Sequence, residues 1–132
     1  MSLLLDTHAA IWHLRQSKEM SAAARKAIHK TISSGNRLYV SAISLVEAIY
    51  LVERGRIPLS ALLELENELK RVESSMRVAV IDADVAEAVY KIPRQNVPDM
   101  PDRIIAATAL CRNLPLLTRD ARIQSTGIKT IW

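Results

Sequence analysis

Four short apolar runs, Leu3-Leu4-Leu5, Leu38-Tyr39-Val40, Val78 to Ile81 and Leu114 to Thr118, recur along this sequence between stretches with helical patterning. Their apolar residues run on without polar alternation, so each reads as a strand covered on both faces, the mark of a parallel sheet. Lys129 to Trp132 reads as a terminal edge strand. The intervening segments predict helices from His8 to Leu14, from a Ser21 cap through Ser34, over 43–54, over 60–73, from Asp82 or Asp84 to Lys91 ahead of Pro93, and over 102–112. Residues 119–125 read as a turn or short helix, and 93–101, with three prolines, as the one extended loop. The expected fold is α/β, a three-layer α/β/α arrangement around a short-stranded parallel sheet, with 1–132 as a single domain.

Ile43 to Arg54 (ISLVEAIYLVER) is apolar almost all the way round, so as a helix it is expected to lie buried between other elements. Glu47 interrupts it. A lone carboxylate on that face is costly unless a salt bridge, a proton or a metal ion compensates it, and no lysine or arginine lies within a helical turn inside the apolar stretch.

Other acids fall where the carboxyl ends of parallel strands would put them, the edge at which open α/β sheets bind ligands. Asp6 follows the first run, Asp120 comes two residues after Thr118, and Asp99 and Asp102 flank the start of the apolar helix 102–112. Taken singly, each has a structural explanation: Asp6 or Thr7, Asp99 and Thr118 or Asp120 can cap helices or turns, and Glu47 can sit in an ion pair. Taken together, carboxylates at one sheet edge repel each other and raise each other's pKa unless a divalent cation lies among them. A site with oxygen ligands alone selects a hard ion, Mg²⁺ or Mn²⁺, and such an ion equips a site to hydrolyse a phosphodiester.

Rival chemistries find little support. No serine has a nucleophile-elbow context, three glycines form no phosphate loop, and Cys111, the single cysteine, is expected in the core of a helix, excluding zinc clusters and internal disulfides. His8 is read as structural or as a substrate contact, and His13 and His29 as surface positions. The formal net charge of +4 suits a polyanionic partner, whereas a 4% aromatic share with no phenylalanine argues against a stacking platform for single strands. No apolar run is long enough to span a bilayer, and a cytoplasmic location is expected.

The segments LLLDTHAAIW, VSAISLVEAIYLVERGRI, DRIIAATAL and LLTRDARI, in this order, resemble the PIN-domain ribonucleases, and specifically the VapC-type toxins of bacterial toxin–antitoxin pairs. The resemblance implies an acidic quartet of Asp6, Glu47, Asp102 and Asp120, with Thr7 and Thr118 supporting metal waters and Ser41 and Ser44 ordering the turn before Glu47. It further implies a Mg²⁺- or Mn²⁺-dependent endoribonuclease, commonly a homodimer, restrained by an antitoxin that wraps its helices. Many relatives read Asp-Pro-x-Asp-Arg where this chain has Asp99-Met100-Pro101-Asp102, so Asp102 is expected as the ligand and Asp99 as an outer acid. Arg25, Lys30, Arg103, Arg119 and Arg122 are expected to hold RNA phosphates around the rim. The alternatives are a phosphatase-like enzyme and a binding module whose acids take a basic partner without turnover. The first lacks a second acid two residues after Asp6, where His8 stands.

Overall fold

The computed structural model describes residues 1–132. The central sheet is parallel throughout, with strands β1 (Leu3–Leu5), β2 (Leu38–Ser41), β3 (Met76–Ala79), β4 (Leu116–Leu117) and β5 (Thr130–Ile131) in the order β3-β2-β1-β4-β5. The chain winds outward from β1 to β2 and β3, then returns to the other side of β1 for β4 and β5. The carboxyl ends of β1 and β4 therefore flank the point where the strand order reverses, which opens a crevice in such sheets.

Seven helices complete the fold: α1 (Thr7–Leu14), α2 (Ala22–Ser33), α3 (Ala42–Glu53), α4 (Leu59–Lys70), α5 (Ala83–Ala88), α6 (Met100–Arg112) and α7 (Ala121–Gln124), with a 3-10 turn at Val89–Lys91. The pleat sends alternate strand residues into two cores. Leu3, Leu5, Leu38, Val40 and Leu117 pack with Ala9, Ala24, Ile28, Leu62 and Leu65 of α1, α2 and α4. Leu4, Ala79 and Leu116 pack on the opposite face with Ala88, Ile105, Ala106, Ala109 and Ile123 of α5, α6 and α7. No helix is long and apolar enough to cross a membrane.

Four expectations are corrected. The helix expected to be buried all round, α3, leaves Val46, Ile49 and Tyr50 41–54% exposed, because it buries Ser44 and Ala48 and turns the opposite stripe outward. The third strand is Met76–Ala79, two residues early, and lies at the sheet edge, so Val78, Val80 and Ile81 reach solvent. Cys111 is exposed, because the last turn of α6 projects past the buried run Ile105–Ala109. His13 is half-buried, whereas His29 is exposed as expected.

Candidate functional site

Three of the acids begin helices, and each uses one carboxylate oxygen as the cap. Asp6 Oδ1 accepts the Ala9 amide at 2.8 Å, Asp120 Oδ1 the Arg122 amide at 2.8 Å, and Asp99 Oδ2 the Asp102 amide at 3.4 Å. The capping explanation thus holds for all three, yet it occupies only part of each carboxylate. Helix amino termini also favour negative charge nearby, so α1, α6 and α7 each contribute to tolerating the acids set there.

Asp6 Oδ2 accepts the Thr118 hydroxyl at 2.5 Å, and Thr118 Oγ1 in turn accepts the Asp120 amide at 3.1 Å. Fully buried Thr118 therefore ties the acid after β1 to the acid after β4. Thr7 Oγ1 lies 2.5 Å from Glu47 Oε1 and 2.9 Å from Ser44 Oγ. Having one proton, it donates to the carboxylate and accepts from Ser44. Ser41, also fully buried, caps α3 by accepting the Ile43 amide at 3.2 Å, which sets the helix register that delivers Glu47 one turn later.

Asp6, Glu47, Asp102 and Asp120 all line one cavity of about 360 Å³, together with Thr7, His8, Trp12 and Arg119. Glu47, Asp99 and Asp102 each offer a carboxylate oxygen within 4.8 Å of the others. None of the four ion pairs of the structure involves any of these acids. Burial raises the pKa of Asp6 against the opposing effect of the Thr118 and Ala9 donors, and raises that of Glu47 against the Thr7 hydroxyl. Asp102, whose carboxylate accepts no protein hydrogen bond, is pushed up to about 7 by burial and then by Asp99 and Glu47. The cavity therefore gathers four carboxylates with no ion pair to any of them, since Arg119 in its lining pairs with Glu19 instead, and the clustered oxygens of Glu47, Asp99 and Asp102 are all carboxylate donors. That donor set fits a hard divalent ion.

The expected rim cations divide. Arg119 lines the cavity, its guanidinium 4.5 Å from the Trp12 ring centroid and 2.5 Å from Glu19. Arg122 is exposed on α7, and Arg25 borders a neighbouring cavity that shares Trp12. Lys30 borders a cavity with Met1, Pro115 and Lys129, at the amino ends of the strands, so its expected place at the acidic site is corrected. Arg103 is corrected too: its guanidinium donates to the Val89 and Ile92 carbonyls at 2.9–3.2 Å and ties α6 to the 3-10 turn. Among the lining residues, Trp12, the last residue of the segment LLLDTHAAIW, is not one of the expected site residues. The available signal is its position four residues after His8, on one helix face.

The sequence pattern of the PIN domain matches residues 3–129. Over 124 residues the chain is 32% identical to "Ribonuclease VapC22" of Mycobacterium tuberculosis, covering 94% of this chain and 91% of that protein. It is 27% identical over 129 residues to "tRNA(fMet)-specific endonuclease VapC" of Shigella flexneri, covering 92% and 89% respectively. The fold is shared with VapBC2 from Rickettsia felis, solved bound to a DNA fragment from its promoter (TM-score 0.71, 16% identity, all of both chains). It is shared as well with DNA-bound VapBC from Salmonella typhimurium (TM-score 0.70, 23% identity, 98% of this chain and 96% of that one).

Proposed function

The chain belongs to the PIN domain family, among its VapC ribonucleases, and on that premise we propose that it is an endoribonuclease toxin that hydrolyses RNA phosphodiesters with Mg²⁺ or Mn²⁺. The observation that carries this reading is the gathering of Asp6, Glu47, Asp102 and Asp120 from separate elements into one cavity with no basic side chain paired to them.

These four acids would hold the ion, with Asp99 beside Asp102 as an outer acid. When bound, a divalent ion supplies a water acidic enough to attack phosphorus near neutral pH, and positive charge against the phosphoryl oxygens. The chain's own groups set the geometry. Thr118 and the Ala9 amide fix the Asp6 carboxylate, and Thr7 fixes Glu47, so each presents its remaining lone pairs in one direction. Asp102, free of protein donors, is the acid best able to orient an attacking water. Arg119, Arg122 and Arg25 stand where they can take flanking phosphates and offset the repulsion of RNA by the acids.

A cognate antitoxin, homodimerisation and a cytoplasmic location belong to the same reading. The apolar side chains that α3 and α4 leave in solvent, Val46, Ile49, Tyr50, Leu59 and Leu63, support a protein partner on this face. The acids alone also fit a module that binds a basic partner without turnover, and cleavage separates the two. Purified protein is incubated with RNA in Mg²⁺ or Mn²⁺, with and without chelator, alongside Asp6→Asn. The expected result is cleavage abolished by chelator and by the substitution; chelator-resistant cleavage that survives Asp6→Asn would reject the reading.

A further inference from the structure

Both tryptophans of the chain, one from the first helix and one from the last position, converge beside the acidic cavity. Trp12 and Trp132 have ring centroids 5.7 Å apart, and His8 lies 5.4 Å from Trp12 on the cavity side. Trp132 and the core buttress the indole of Trp12, which is nevertheless only half-buried. It borders the acidic cavity and also a second one, lined by Ser17, Lys18 and Arg25 among others. Neither Lys18 nor Arg25 has a carboxylate partner, so the far side of Trp12 carries unpaired positive charge.

The face of the indole is covered by a planar group, the Arg119 guanidinium, 4.5 Å from the ring centroid. Glu19 holds that guanidinium from the loop between α1 and α2, in a pair whose side chains are 52% and 55% exposed. An ion pair this exposed contributes little, so Arg119 is readily redirected. A flat cation stacked on a rigid indole marks a slot of the shape and electrostatic character that a nucleobase also fills.

We infer that Trp12 is a nucleobase-stacking subsite for the nucleotide flanking the scissile phosphate: a base displaces Arg119 from the indole, and Arg119, released from Glu19, turns to the adjoining phosphate. The strand then continues to Lys18 and Arg25. The low aromatic content rules out an extended platform but not one stacking position, which needs one well-supported ring. The inference rests on the ribonuclease reading above, and it adds a recognition element that the acids do not supply.

Binding without turnover tests it. In an Asp6→Asn background that blocks cleavage, with Trp132→Phe leaving Trp12 as the sole indole, a single-stranded oligoribonucleotide is titrated against an abasic ribose-phosphate oligomer of equal length. Binding is read both by indole fluorescence and by anisotropy of a labelled oligomer. The oligoribonucleotide is expected to quench Trp12 saturably and to bind roughly tenfold more tightly than the abasic oligomer, the scale of one base–aromatic stack. Trp12→Leu is expected to lose that preference and Trp12→Phe to keep most of it, so the pair decides even if the leucine variant folds poorly. Arg119→Gln is expected to lower the salt dependence of binding by about one unit, as loss of one phosphate contact does. RNA binding without quenching, or equal affinity for the two oligomers, overturns the stacking subsite and leaves the ribonuclease reading standing. Failure of the RNA to bind at all overturns the stacking subsite, and cleavage by the parent protein in Mg²⁺ or Mn²⁺ decides the ribonuclease reading separately.

Discussion

The hydroxyl of Thr7 reaches the carboxylate of Glu47 at 2.5 Å, joining two residues 40 positions apart. The residue that follows the acid of β1 thereby fixes the acid of α3, and loss of the hydroxyl leaves Glu47 half-buried with no donor. Thr7→Val, nearly isosteric, is expected to reduce RNA cleavage and metal affinity by about 10- to 100-fold, the range for groups that orient metal ligands. Thr7→Ser should recover most of that loss. Cleavage rates measured against metal concentration check it, and an unchanged metal dependence in Thr7→Val would separate Thr7 from the site.

Arg103 follows a site acid in sequence but serves the fold. Its three hydrogen bonds end on the carbonyls of Val89 and Ile92. Arg103→Ala is expected to cost about 2 kcal/mol of stability, the scale of charge-assisted bonds to partly buried carbonyls. The salt dependence of RNA binding should stay the same, because no phosphate contact is removed. Denaturant unfolding and binding at several salt concentrations distinguish this from a phosphate-binding role.

The raised pKa values give the metal-free protein an unusual pH response. Burial raises Asp6, Glu47 and Asp102, the last to about 7. The unfolded chain titrates such groups near about 4, so between pH 4 and 7 the folded protein binds more protons, and these groups make it less stable as pH rises. Glu68, lowered by Arg71, and Asp82, lowered by the Val85 amide, act in the opposite sense. The site is isolated by comparison with Asp102→Asn. In chelator, that variant should melt at a higher temperature than the parent at pH 7.5, by a smaller margin at pH 5, and close to it only below about pH 4, where the unfolded acid is protonated as well. A variant no more stable at pH 7.5 would mean that Asp102 is not held at a cost.

The outward stripe of α3 should matter to association and not to folding. Tyr50 is 54% exposed, so Tyr50→Glu is expected to change stability by about 0.5 kcal/mol or less. If a second copy covers this stripe, the variant should elute as a monomer where the parent is a dimer. Light scattering across a range of concentrations measures this, and unchanged mass in both proteins would remove α3 from the interface.

Much of the site could be read from sequence because its signals are local. Leu3-Leu4-Leu5 before Asp6 gives a strand followed by a capped helix, and a carboxylate in the apolar run of α3 has few benign explanations. Capping and clustering looked like rival explanations, but a carboxylate has two oxygens, and Asp6 uses one on Ala9 and the other on Thr118. What escaped depends on pairing between distant segments. The edge position of β3, which exposes Val78, follows from which strands neighbour it. Arg103 is adjacent to Asp102, but a helix turns about 100° per residue, so the two side chains leave in different directions. The meeting of Trp12 with Trp132 joins the two ends of the chain and has no local signature.

The most direct test is calorimetric titration of Mn²⁺ into metal-free protein at pH 7 in buffers of different ionisation enthalpy. Saturable binding is expected, with a heat that depends on the buffer, since an ion entering the cavity expels the proton from Asp102, which is pushed up to about 7. At least tenfold weaker binding is also expected in each of Asp6→Asn, Glu47→Gln and Asp102→Asn. Absence of binding, or binding indifferent to all three substitutions, would contradict the claim that these acids are gathered to hold a divalent cation.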